Sequence, residues 1–213
     1  MSICYIIGAM PDENICIKDG YIIAADKGMK TLVAMGKTAD LILGDFDSLG
    51  YVPRGNNVET HPSEKDDTDT MLALRRGMEK GYQTFVIYGG MGGRFDHTLA
   101  NLQTLLFAAK RGAHAYLVGG GTVCTAIYNE TLILDKTLSG YFSVFAAFGD
   151  AHGVTLQGLK YEIQNHTLSA DFPLGVSNEC VGKDISVSVA DGALLMVWNE
   201  KPSDLLRRLE EME

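Results

Sequence analysis

The stretch FVIYGGMGGRFDHTLANLQTLLFAAKRG, Phe85–Gly112, decides the fold class. It opens on the apolar run Phe85–Tyr88, bends through the glycines between Gly89 and Gly93, and continues as a run with a different period. In that run Leu99, Leu102, Leu106 and Ala109 recur every three or four residues, which predicts a helix buried along those four side chains. Asp96 is suited to cap the start of this helix, and Gly112 to follow its end. A further apolar run, Ala115–Gly119, comes next. Strand, glycine turn, helix and strand in this order are the unit from which parallel α/β sheets are built.

The same alternation extends toward the amino end. Apolar runs stand at Ile3–Gly8, Tyr21–Asp26, Leu41–Asp45 and Val58–His61, with helical patterns at Lys27–Met35 and Thr68–Lys80. The runs are nearly continuous in apolar residues, as strands covered on both faces require. After Gly119-Gly120-Gly121 the period changes to two, in Tyr141–Ala146, Val154–Leu159, Ile185–Val189 and Leu194–Trp198. Glycines punctuate this half at turn-like intervals, and Ser203–Glu211 reads as a short terminal helix. The expected architecture is a parallel, Rossmann-like three-layer α/β domain over residues 1–121. An antiparallel β-sandwich domain is expected over residues 122–213.

The 213 residues carry a net charge of −9, which argues against a nucleic-acid backbone as partner. No apolar run approaches the ~20 residues that span a bilayer. The opening Met1–Gly8 lacks a basic leader and runs into Pro11-Asp12, so it reads as a first strand rather than a signal peptide. Cys4, Cys16, Cys124 and Cys180 are widely spaced with no Cys-x-x-Cys pair, the pattern of reduced structural thiols in a cytoplasmic protein.

Three acidic clusters fall where strands of the first half should end, the side on which parallel sheets bind ligands. They are Gly44-Asp45-Phe46-Asp47-Ser48, Lys65-Asp66-Asp67-Thr68-Asp69, and Gly89-Gly90-Met91-Gly92-Gly93-Arg94-Phe95-Asp96-His97. Carboxylates gathered in one cleft repel one another unless a cation compensates, and oxygen ligands of this kind suit Mg²⁺. Glycine backbone N–H groups can approach phosphate oxygens closely, and Arg94 can make a paired, charge-assisted contact with a phosphate. Together these describe a site for a metal-bound polyphosphate. Each has a plainer reading: Asp66 and Asp69 as helix-start residues, Gly89–Gly93 as a tight turn, Arg94 as the partner of a nearby Asp. Gly36-Lys37-Thr38 resembles the end of a P-loop, but Thr31 stands where the motif needs its first glycine, and the triplet ends a helical pattern instead of opening one.

In this order the clusters resemble thiamine pyrophosphokinase, whose members carry Gly-Asp-Phe-Asp-Ser, Asp-x-x-Thr-Asp and Gly-Gly-x-Gly-Gly-Arg-x-Asp-His. Ala24-Ala25-Asp26-Lys27-Gly28 is similar to the family's Ala-Asp-Gly-Gly segment, from which Lys27 departs. Gly175-Val176-Ser177-Asn178-Glu179 is similar to its Ser-Asn-Glu signature. The resemblance implies ATP as co-substrate, Mg²⁺ as cofactor, and a homodimer with active sites between subunits. It implies Asp45, Asp47 and Asp69 as metal ligands, and Arg94 and Asp96 as further catalytic residues, with Asp69 or Asp96 taking the hydroxyl proton. Asp26, Asp66, Thr68, Gly90, Gly92, Gly93 and His97 would belong to the nucleotide region, and Ser177 and Asn178 to the thiamine pocket. Animal and fungal members cover the thiamine ring with a late-strand Trp. Trp198 is two residues out of step with it but on the same face, and the alternative is that it belongs to the sandwich core.

Two other functions compete. A metal-dependent phosphatase of the haloacid-dehalogenase type also places Asp-x-Asp after a strand, normally the first strand, whereas Asp45 and Asp47 follow the third. A nonenzymatic nucleotide sensor would have little need for so many clustered carboxylates.

Overall fold

The computed structural model describes residues 2–11, 14–47, 50–62 and 66–211, so Met1, Asp12, Ser48 and Lys65 of the segments quoted above lie outside it. The chain forms two compact units. The first comprises Met1–Thr104 and Ala115–Gly120, and the second Leu105–His114 and Gly121–Glu213.

The first unit contains β1 (Ile3–Ile7), β2 (Gly20–Ala25), α1 (Gly28–Ala34), β3 (Leu41–Gly44), β4 (Val58–Thr60), α2 (Asp69–Glu79), β5 (Thr84–Tyr88), the start of α3 (Phe95–Ala109), and β6 (His114–Gly119). Its strands are ordered β6-β5-β1-β2-β3-β4. The pairs β1–β2, β1–β5, β2–β3 and β3–β4 are all parallel. Every residue of β1 and β5 is buried, as expected of central strands covered on both faces. The register pairs Ile7 with both Ala24 and Tyr88, and Ala25 with Leu43. The residues that follow these positions, Gly8, Asp26, Gly44-Asp45 and Gly89, therefore emerge together at one edge of the sheet.

Helix α3 departs from its expected pattern in two ways. Its buried residues are Asn101, Thr104, Leu105, Ala108 and Ala109, while Leu99 is 42% exposed and Leu102 and Leu106 are half-buried. Thr and Ala permit close approach to neighbouring backbone, so the small residues and Leu105 take the inner face while Leu99, Leu102 and Leu106 flank it. Asp96 lies inside the first turn, since the helix begins at Phe95.

The second unit holds β7 (Thr122–Tyr128), β8 (Thr131–Leu134), β9 (Tyr141–Ala146), β10 (Ala151–Gln157), β11 (Ile163–Leu168), β12 (Asn178–Glu179), β13 (Ile185–Ser188), β14 (Ala193–Asn199) and α4 (Pro202–Glu211). Two antiparallel layers run β12-β9-β14-β7 and β11-β10-β13-β8. Alternate residues point inward, among them Phe142, Val144, Leu194, Met196 and Trp198 from one layer and Leu132, Leu134, Val154, Leu156, Ile185 and Val187 from the other. Trp198 is 1% exposed, stacks on Phe142 at 5.6 Å between ring centres, and donates its indole N–H to Glu200 Oε2 at 2.8 Å. It is a core residue, not a cover for a ligand ring. Helix α4 is tied down by Arg208, which is 4% exposed and donates to Glu200 Oε1 at 2.7 Å and to Asp135.

All four cysteines are free thiols. Burial pushes Cys4 up to about 12 and Cys124 up to about 11, which makes both poor nucleophiles. No helix among the described residues is long and apolar enough to cross a membrane.

Candidate active site

A cavity of about 450 Å³ opens in the first unit at the carboxyl ends of its parallel strands. Of the expected site residues, Asp26, Asp45, Thr68, Asp69, Gly90, Gly93, Arg94 and His97 line it. Asp47, Asp66, Gly92 and Asp96 are not part of its wall, and Ser177 and Asn178 belong to the second unit.

The aspartates reach the cavity through unusual backbone. Asp26 and Phe46 both have positive φ, at 48° and 59°, where a non-glycine residue is uncommon and strained. At Phe46 the strain is stabilised by burying the ring, which is 2% exposed. The resulting bend lets the Asp47 N–H donate to Asp45 Oδ1 at 3.0 Å, which orients the Asp45 carboxylate. Thr68 caps α2, its hydroxyl accepting from the Met71 N–H at 3.2 Å. The cap of α2 is therefore Thr68 and neither Asp66 nor Asp69, while Asp69 sits in the first turn, where the helix dipole favours a negative charge.

The glycine-rich wall is set by a side chain that the sequence reading passed over. Asn101 is 5% exposed, lines the cavity, and donates its Nδ2–H to the Gly90 carbonyl at 2.8 Å. A Cβ on Gly90 would stand 2.9 Å from that same nitrogen and 2.7 Å from Leu117 Cδ1, so a larger residue there would displace the amide or the leucine. Asn101 was hidden because it lies on the expected helix one step from the leucine stripe, where a polar residue reads as solvent-facing. Lys27, Asp67, Thr70 and Thr98 also line the wall. Asp67 pairs with Arg75 at 3.3 Å.

Arg94 points its fork at Asp96, with Nε donating at 3.2 Å and Nη2 at 2.6 Å. This hydrogen bonding holds the Asp96 carboxyl below the usual carboxylate range, which makes it a weaker proton acceptor. Among the described residues no three His, Cys, Asp or Glu side chains converge to enclose a metal ion. The donor set nonetheless fits Mg²⁺, which typically takes one or two protein carboxylates and completes its shell with water and phosphate oxygens. Asp45 and Asp69 supply hard oxygen donors to the same cavity.

In the second unit, Ser177 is exposed with φ 57°, and its N–H donates to Ser143 Oγ at 3.0 Å. Asn178 is buried and engaged with backbone. It accepts from the Tyr161 and Glu179 N–H groups, both at 2.9 Å, and donates to the Tyr161 carbonyl at 2.7 Å. Asn178 thus pins the strand that presents Ser177.

Residues 13–117 match the family described as thiamin pyrophosphokinase, catalytic domain, and residues 130–194 match thiamin pyrophosphokinase, vitamin B1 binding domain. A thiamine pyrophosphokinase of Bacillus subtilis is 31% identical over 182 residues, covering 82% of this chain and 85% of that protein. The crystal structure of a thiamine pyrophosphokinase from Bacillus subtilis superposes with a TM-score of 0.81 at 26% identity, covering 93% of this chain and 99% of the other. One from Geobacillus thermodenitrificans gives 0.78 at 27% identity, covering 94% and 99%.

Proposed function

The chain belongs to the thiamine pyrophosphokinase family, and from that premise we propose how its own residues carry the transfer of diphosphate from ATP to thiamine. The observation that carries the reading is the single cavity wall shared by Asp26, Asp45, Asp69, Arg94 and the glycine loop. In the reaction, the thiamine hydroxyl oxygen bonds to the β-phosphorus of ATP. The bond from that phosphorus to the oxygen bridging toward the α-phosphorus breaks, and AMP leaves with the electron pair. Such transfers ask mainly for positioning and charge neutralisation.

Asp45, Asp47 and Asp69 would hold Mg²⁺, which when bound offsets the charge on the phosphate oxygens. Of the three, Asp45 and Asp69 have the stronger claim because they line the cavity. Arg94, oriented by Asp96, and the N–H groups of Gly90 and Gly93 would hold the polyphosphate in line, with Asp26, Asp66, Thr68, Gly92 and His97 around it. Asp69 or Asp96 would take the hydroxyl proton, Asp96 being engaged by Arg94 and Asp69 by the metal it would hold. Ser177, on its strained exposed turn, would contact thiamine. The first unit would be the catalytic domain and the second the thiamine domain. A homodimer with sites between subunits, acting in the cytoplasm, completes the proposal. A phosphatase reading gains nothing from these findings, since the match spans both the catalytic and the vitamin-binding families.

The test is product formation by the purified protein with ATP, Mg²⁺ and thiamine. AMP and thiamine diphosphate should appear in equal amounts and only when thiamine is present. ADP or free phosphate formed without thiamine would overturn the assignment.

A further inference from the structure

The cavity wall in the first unit is electrostatically unbalanced for an anionic substrate. Four aspartates line it, Asp26, Asp45, Asp67 and Asp69, of which Asp67 is paired with Arg75, against two basic residues, Lys27 and Arg94. Arg94 has already committed two donors to Asp96. The Lys27 side chain has no hydrogen bond or ion pair with any described residue. Its three ammonium donors are free for a ligand, on a stem flexible enough to follow one.

The backbone that carries Lys27 is fixed. Gly28 follows it so closely against β1 that a Cβ there would stand 1.8 Å from the Ile7 carbonyl oxygen. On the other side, the Asp26 N–H donates to the Leu43 carbonyl at 2.8 Å, and Lys27 itself accepts from the Lys30 N–H at 2.9 Å. This anchoring holds Lys27 next to Asp26, whose backbone lies against Gly44, whereas Arg94 follows the glycine loop.

Resting on the proposed reaction, we infer that Lys27 is a specificity-determining residue which binds the diphosphate being transferred. A polyphosphate facing this aspartate wall meets repulsion that Mg²⁺ held by Asp45 and Asp69 would offset only in part, and that AMP, lacking the β- and γ-phosphates, meets less. Lys27 offsets that repulsion for the group that moves. The group stays on Lys27 through the reaction, first as part of ATP and then as part of thiamine diphosphate. AMP, which leaves, never had it. Lys27 therefore favours the release of AMP before thiamine diphosphate, and it sets how strongly thiamine diphosphate inhibits the enzyme.

Steady-state kinetics of Lys27→Ala and Lys27→Arg test this. In Lys27→Ala the KM for ATP should rise roughly tenfold, and inhibition by thiamine diphosphate should weaken by a similar factor, the loss expected for one charge-assisted contact. Inhibition by AMP and the KM for thiamine should each stay within about twofold, as contacts Lys27 does not make. Lys27→Arg should recover most of the affinity for ATP. An unmoved KM for ATP in Lys27→Ala overturns the inference, and so does AMP inhibition that weakens as much as ATP binding. Absence of thiamine-dependent AMP formation in the unmodified protein is a separate outcome, which would remove the reaction itself.

Discussion

At the scale of single residues, the site depends on side chains that hold other groups in place. Asn101 is the clearest case, since it both satisfies the Gly90 carbonyl and fills the space above Gly90. Asn101→Ala should leave that carbonyl without a partner, costing about 1–3 kcal/mol. The KM for ATP should rise with it, while the KM for thiamine stays put. Urea unfolding and steady-state kinetics check the two halves of this statement, and a loss of stability with unchanged ATP kinetics would make Asn101 purely structural. The acidic and glycine clusters were legible in the sequence because their residue types carry chemistry. Asn101 was not, because an amide in a helix has many uses and only the fold shows which carbonyl it meets. Phe46 was likewise opaque: an aromatic between two aspartates gives no sign that its φ is positive.

At the scale of elements, boundaries in the first unit were readable to within a few residues, because each strand except β4, which reads Val58-Glu59-Thr60, is a mainly apolar run that ends at or just before a glycine or aspartate. The inner face of α3 was misjudged because hydrophobicity ranks leucine above threonine and alanine, whereas close packing selects small side chains. Strands β7, β8 and β11 escaped the period-two reading. β7 is buried along five successive residues, and β11 exposes four of its six, so neither alternates, while β8 alternates over only four residues. Helix α4 offers a test at this scale. Its Arg208 meets Glu200 and Asp135 in a site where the Arg208 and Glu200 side chains are 5% and 4% exposed. Arg208→Ala should destabilise the fold by about 3–5 kcal/mol, because it leaves carboxylates without their cation. Thermal or denaturant unfolding would show this, and a shift below about 1 kcal/mol, the range of a surface pair, would mean that solvent reaches the site.

At the scale of the whole molecule, the change from helical to alternating period near Gly120 announced two architectures in one chain, and the matched families divide the chain in the same order. The sequence could not show that Trp198 would be spent on the core, since a late-strand tryptophan suits a ring platform and a hydrophobic interior equally well. With Trp198 internal, Ser177 carries the thiamine reading. Ser177→Ala should raise the KM for thiamine several-fold and the KM for ATP less, the pattern of one lost ligand hydrogen bond. The reverse pattern would move the thiamine pocket elsewhere. The burial of Trp198 also has an optical consequence. It is the chain's one tryptophan, and it lies in the second unit with its ring sealed against Phe142. Its emission is a built-in probe of that unit alone. The far-ultraviolet helix signal instead comes largely from α1, α2 and the first part of α3, so following both signals through one denaturation would reveal whether the two units melt as one.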